Sequence, residues 1–203
     1  TIPYSALFLK VVYNWTMDIQ AFQKLILAWS KKNRRDMPWR KTKDPYEILI
    51  SEVMLQQTQV SRVIPKYKEF LQVFPDLKAL AKAPNKKLRK VWAGLGYWKR
   101  ALNLKATAKT LAFLQTRRAP PAGGVKRKEK TEFEHKLSNP EFLETLPGIG
   151  HYTARAIACF AFGNTEAFLD TNIRRVYLHF FFKNRKNVSD KEIFPIAQKA
   201  TSN

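Results

Sequence analysis

Apolar positions recur three and four residues apart over most of this chain, the spacing that gives a helix one buried face. The spacing predicts helices near 18–33, 45–61, 62–73, 85–91, 98–115, 140–145, 152–161, 171–182 and 190–200. Few stretches alternate with period two, so no sheet is expected and the fold class is all-α. The first helix reads most clearly: Asp18 is a good N-cap, and Ile19, Phe22, Leu25, Ile26 and Trp29 follow at helical spacing. Pro38, Pro65, Pro75, Pro84 and Pro147 fall where helices should break or begin. No repeat of solenoid period is visible.

Arg117 to Pro140 differs in kind, with adjacent prolines, paired glycines and a basic cluster at Lys126–Lys130. It reads as a solvated, flexible basic insertion between two helical halves, with DNA contact as the alternative. At the N-terminus, Ala6 to Val12 is apolar but short, and Lys10 interrupts it without a preceding basic segment. A secretory signal is therefore not expected. Met17, just before the first capped helix, reads as the natural start, which makes residues 1–16 an upstream extension. Residues 197–203 carry no cap signal, and the chain reads as a truncated piece.

Composition narrows the partners. With 203 residues, one domain with appendages is expected. A hydrophobic content of 45% excludes wholesale disorder. The net charge of +21 points to a polyanion. Cys159 is the single cysteine, which excludes an internal disulfide and a multi-thiolate metal site made by this chain alone. No apolar run approaches the roughly 20 residues of a membrane-spanning helix, so no membrane partner is expected.

Leu146-Pro147-Gly148-Ile149-Gly150 precedes His151-Tyr152-Thr153 and a helical stripe of Ala154, Ile157, Ala158 and Ala161. Glycines two residues apart permit torsions that side chains forbid and let the main chain approach a ligand closely. A helix opening at once aims N–H groups and a positive dipole end outward, which makes an anion site. On this basic chain the anion is a nucleic-acid phosphate; a plain helix-to-helix turn is the alternative.

The hairpin resembles the helix-hairpin-helix element of DNA base-excision glycosylases. Phe168-Leu169-Asp170-Thr171-Asn172 lies about twenty residues further on, where that superfamily carries its catalytic aspartate. Arg35-Asp36-Met37-Pro38-Trp39-Arg40, Asp44-Pro45-Tyr46, the block Ser51 to Val60 (SEVMLQQTQV) and Gly94-Leu95-Gly96-Tyr97, with Trp92 before it and Arg100 after it, resemble adenine DNA glycosylases of the MutY type. The likeness covers about Met17 to Lys199, interrupted by the basic insertion. It implies a helix-hairpin-helix glycosylase fold: an N-terminal helix (17–39) in a second lobe, a six-helix barrel-like lobe (40–165) with the hairpin at 146–153, and the start of the rest of the second lobe (166–203). DNA would bind in the cleft, with Glu52 and Asp170 facing across it.

The chemistry follows from what the bond demands. Adenine leaves deoxyribose poorly unless protonated, and the sugar becomes oxocarbenium-like as the bond breaks, so two carboxylates suffice. Glu52 would protonate adenine at N7 and later handle the water. It lies beside Leu49, Val53, Val60 and Ile64, where desolvation raises a carboxyl towards neutrality. Asp170 would stabilise or trap the sugar, with Asn172 hydrogen-bonding near the site. Taken alone, Glu52 could be a surface helix residue and Asp170 a helix N-cap.

By resemblance, bifunctional relatives place at the position of Tyr152 a lysine that forms a Schiff base. Tyrosine there implies a monofunctional glycosylase that leaves an abasic site uncut. The target base must be flipped from the duplex. Gln57, Thr58, Leu95 and Tyr97 would be wedge residues near the opposite base, and Arg35, Met37, Trp39 and Arg40 would line the adenine pocket with Tyr152. Gly148, Ile149 and Gly150 would hold the DNA backbone. Trp39, Leu95 and Tyr97 could instead be core or turn residues.

The expected substrate is double-stranded DNA with adenine opposite 8-oxoguanine or guanine, acted on by an intracellular, DNA-associated monomer of the cytoplasm or nucleoid. Full-length relatives would carry a 4Fe–4S cluster on four cysteines; this chain lacks those ligands and is expected to bind no metal or cofactor. The rivals are a thymine or uracil mismatch glycosylase and a noncatalytic DNA-binding fragment. A generic RNA-binding protein is disfavoured, since no sheet with exposed aromatics is expected.

Overall fold

The computed structural model describes residues 17–116, 132–183 and 185–201. Among them every regular element is helical: α1 (Ile19–Asn33), a 3-10 turn (Pro38–Arg40), α2 (Pro45–Leu55), α3 (Val60–Val73), α4 (Leu77–Lys82), α5 (Asn85–Trp92), α6 (Trp98–Thr116), α7 (Glu132–Ser138), α8 (Pro140–Glu144), α9 (His151–Phe162), α10 (Thr171–Phe181) and α11 (Asp190–Thr201). The expected extension 1–16 and most of the basic insertion, including Lys126–Lys130, lie outside the described residues. None of the described helices is long and apolar enough to cross a membrane.

The chain divides into two compact units, one of residues 36–164 and one built from both ends, 1–35 and 165–203. The larger unit is organised around α2, which packs against α3, α6 and α9. Tyr46, Ile48, Leu49, Ile50, Val53 and Met54 are all buried, so α2 is apolar on nearly every face, the mark of a central helix. Asp44 caps it, accepting from the Tyr46 N–H at 2.7 Å, and Pro45 starts it at the position where a missing N–H costs nothing. Asp76 and Asn139 cap α4 and α8 in the same way. The Tyr46 hydroxyl donates to the Phe74 carbonyl at 2.7 Å, and burial pushes the phenol well above its ordinary range.

The smaller unit closes on aromatic rings. Phe22 of α1 meets Tyr177, Phe180 and Phe181 of α10 at centroid distances of 5.0–5.4 Å. Asp18 caps α1 through the amides of Gln20 and Ala21. Leu25 and Trp29, on the predicted apolar stripe, are exposed. Ser189 and Glu192 form a capping box at the start of α11: the Glu192 carboxylate accepts from the Ser189 N–H and hydroxyl, both at 3.0 Å.

Three expectations about elements are corrected. Pro65 lies inside α3. Its fixed φ suits a helix, and burial of Val63, Tyr67 and Phe70 offsets the one lost backbone bond. The predicted helix 45–61 stops at Leu55, because the polar run Gln56 to Gln59 has nothing apolar to bury and side-chain donors take the helix-end carbonyls. The C-terminal part of the predicted loop 117–140 is the helix Glu132–Ser138, which buries Leu137. The short α4, not predicted, buries Leu77 and Leu80.

Candidate active site

Glu52 is set by α2. It lies in the last turn but one of a helix whose other faces are buried, and is itself only 8% exposed. Its neighbour Ser51 is also buried and satisfies its hydroxyl on the Ile48 carbonyl at 2.8 Å. Burying a carboxyl is costly, and Glu is rarely buried unless paired.

Just beyond Glu52 the backbone turns sharply. Gln57 has φ 54°, and Tyr97, in the segment following Gly96, has φ 44°. Non-glycine residues seldom adopt these left-handed torsions, and such residues cluster at functional sites. The two segments touch: the Thr58 hydroxyl donates to the Leu95 carbonyl at 3.3 Å. Tyr97 is 64% exposed, whereas Leu95 is buried in the core. Trp92, also buried, donates its indole N–H to the Gly96 carbonyl at 2.9 Å and so supports the turn from beneath.

The hairpin adjoins the end of α2 and the side of α6. Gly148 takes φ 78°, which a side chain would strain. The Thr107 hydroxyl of α6 donates to the Pro147 carbonyl at 2.9 Å. Ile149 is buried as an anchor, and Gly150 starts α9 with no side-chain cap, so the first turn presents its amides without a side-chain acceptor from that position. Arg155 bonds Glu144, with His151 Nδ1 2.9 Å away, tying the two helices of the hairpin together. The Gln56 amide donates to the Thr153 hydroxyl at 3.4 Å, linking the end of α2 to α9. Tyr152 is partly exposed on the first turn of α9.

The sequence-assigned residues thus distribute unevenly. Glu52, Gln57, Thr58, Leu95, Tyr97, Gly148, Ile149, Gly150 and Tyr152 all belong to the 36–164 unit. Met37 and Trp39 are buried in its core, with Trp39 edge-on to Tyr67 at 5.4 Å. Arg40 is exposed in the same unit. Arg35, Asp170 and Asn172 belong to the unit built from the chain ends. There Asp170 is the N-cap of α10, accepting from the Ile173 N–H at 2.5 Å, and Asn172 follows on the first turn. Arg100, quoted in the resemblance but given no role there, meets both turn segments with its guanidinium; its partners are mostly backbone carbonyls, which carry no sequence signature.

No group of three or more His, Cys, Asp or Glu among the described residues could hold a metal ion. Cys159, the chain's single cysteine, is half-buried, and burial pushes its thiol up. A 4Fe–4S cluster takes four thiolates, so the residues of this chain do not fit that group.

Comparison with known proteins completes the picture. An adenine DNA glycosylase of Buchnera aphidicola subsp. Baizongia pistaciae is 38% identical over 172 residues, covering 84% of this chain and 44% of the relative. The human adenine DNA glycosylase is 36% identical over 168 residues, 78% of this chain and 28% of that one. The chain therefore spans less than half the length of these relatives. A thermostable thymine-DNA glycosylase superposes with TM-score 0.70 at 29% identity, over 90% of this chain and 77% of that one. A non-covalent endonuclease III–DNA complex shares the fold, with TM-score 0.65 at 20% identity over 91% and 78%. Residues 50–201 match the family described as HhH-GPD superfamily base excision DNA repair protein. With its hairpin and buried glutamate in one helical unit, the chain belongs to the HhH-GPD superfamily.

Proposed function

We propose that this chain acts in base excision repair as a monofunctional DNA glycosylase, removing adenine mispaired with 8-oxoguanine or guanine. The observation that carries the reading is the single segment holding a buried Glu52 and, five residues on, Gln57 in a left-handed turn. The buried carboxyl supports a role as general acid, and the polar side chain on a sharp turn supports a role in reading the base opposite the target.

In the proposed reaction Glu52, protonated, gives its proton to adenine N7. The C1′–N9 bond breaks and its electron pair leaves with the base. Asp170 meets the cationic sugar, water adds at C1′, and its proton passes to the Glu52 carboxylate. The products are adenine and an abasic site. Tyr152 has no amine to form an imine, so the strand stays intact. Duplex DNA is the partner, held at the hairpin amides and by the +21 charge. An intracellular, DNA-associated setting goes with that substrate.

The likeness to a thymine-DNA glycosylase at 29% identity supports a second reading, release of mispaired thymine or uracil. Single-turnover assays on duplexes carrying adenine opposite 8-oxoguanine, adenine opposite guanine, and thymine opposite guanine separate the two. Adenine release with strand breaks only after alkali is the expected result. Thymine release alone, or breaks without alkali, overturns the proposal.

A further inference from the structure

Arg100, on the first turn of α6, touches both sharp turns of the barrel unit. Its Nη1 donates to the carbonyls of Val53 at 2.9 Å, Met54 at 3.1 Å and Gln56 at 2.5 Å. Its Nη2 donates to the Thr58 hydroxyl at 3.0 Å and to the Leu95 carbonyl at 2.8 Å, with the Gly96 carbonyl at 3.5 Å. The first set lies at the C-terminal end of α2, where helix carbonyls lack intrahelical donors and a positive charge opposes the dipole. In the second set the carbonyls of Leu95 and Gly96 lie in the turn before Tyr97, and the Thr58 hydroxyl follows Gln57. The guanidinium carbon also lies 5.6 Å from the Trp92 ring and 5.5 Å from the Tyr97 ring.

Among the described residues, only Gln57, Tyr97 and Asn187 combine a side chain with positive φ. Arg100 bonds the carbonyl of residue 56 and the hydroxyl of residue 58, on either side of Gln57, and the carbonyl of residue 95, two before Tyr97. A left-handed residue with a side chain is strained and persists only where its surroundings over-determine it. A planar fork can bond both turns at once; a lysine ammonium, a compact point charge, cannot reproduce that geometry.

We propose that Arg100 is a positioning residue that locks the Gln57 and Tyr97 turns to each other and to the end of α2, so that the two side chains enter the duplex as one wedge. The inference rests on the wedge role proposed above. It assigns Arg100 no contact with the reacting atoms. Loss of the fork frees each turn to relax, and recognition of the mispair falls while general attraction to DNA persists.

The test is equilibrium binding of the full chain and its variants, at one fixed salt concentration and across a salt series. Each is measured on a duplex with adenine opposite 8-oxoguanine and on the matched adenine–thymine duplex. For Arg100→Met the ratio of the two affinities is expected to fall about tenfold, with the salt slope unchanged. Arg100→Lys keeps charge and stem, guards against misfolding, and is expected to lose most of the same ratio with a cooperative melt. Tyr97→Ala also lowers the ratio, and combining it with Arg100→Lys adds little, because both remove one wedge. A merely structural arginine lowers melting temperature and both affinities together. A ratio retained in folded Arg100→Lys and Arg100→Met, or losses that multiply independently in the double variant, overturns this inference alone. A parent chain with no preference for the mispaired duplex overturns the wedge reading and this inference together.

Discussion

Gly148 lies directly against Asn103 of α6: a Cβ at position 148 would fall 2.8 Å from the Asn103 Cβ, closer than real Cβ atoms come. The hairpin is therefore seated on α6 by the absence of a side chain, and its left-handed torsion adds a second reason for glycine. Gly148→Ala is expected to cost at least about 1–2 kcal/mol from the torsion alone. It should lower both the melting temperature and the affinity for nonspecific duplex DNA. Calorimetry with a parallel DNA titration checks this; a variant matching the parent in both refutes the seating.

Glu52 can be tested without disturbing its burial. Glu52→Gln keeps the volume and removes the transferable proton. Base release in a single turnover should fall by about 10²–10⁴, the usual contribution of a positioned general acid. Duplex affinity should change little. Release at the parent rate contradicts the role given to Glu52.

Asp170 has a capping role and a proposed catalytic one, which one pair of variants separates. As the N-cap of α10 it accepts from the Ile173 amide. Asn caps about as well as Asp, so Asp170→Asn should leave the melting temperature close to the parent's while base release collapses. Asp170→Ala should lose the chemistry and also about 1 kcal/mol of stability. Equal activity in parent and Asp170→Asn would leave only the capping role.

Glu192 sets an acid-side dependence in the smaller unit. The Ser189 N–H and the side chains of Arg185 and Ser189 hold its carboxyl below its ordinary value of 4.5. A depressed carboxyl stabilises the fold above its unfolded value, and that contribution is lost as pH falls through the lowered folded value. The melting-temperature gap between parent and Glu192→Gln should therefore be open at pH 6 and close below pH 4.5. A constant gap across that range refutes the coupling.

The legible and illegible parts of this molecule differ for physical reasons. Helical periodicity marks an element wherever one face must be buried, so α1, α6 and α9 stand out with their caps. Short helices such as α4 and α7 make too few turns for a period to show. Pro65 was misplaced because a proline's fixed φ is compatible with a helix once packing covers the lost bond. At the site, the roles proposed for Glu52 and Gln57 come from the resemblance, which rests on side-chain identity. Met37 and Trp39, given to the adenine pocket by resemblance, are buried in the core; an aromatic or thioether side chain suits a pocket wall and a packed interior equally. Arg100 stands in a quoted motif, yet its contacts were not legible, because a residue that bonds carbonyls requires no particular partners in the sequence.

The smaller unit joins the two ends of the chain, and that has a consequence for synthesis. The Gln23 amide donates to the Ala200 carbonyl across 177 positions, and Phe22 waits for rings on α10. At 5–20 residues per second, α1 leaves the ribosome roughly 10–35 s before its last partner is made. In that interval the 36–164 segment can fold around α2, while the apolar face of α1 stays uncovered. The 36–164 unit can thus be complete before α1 is covered, and a nascent chain from which residue 164 has just emerged presents that unit with an unsatisfied helix attached.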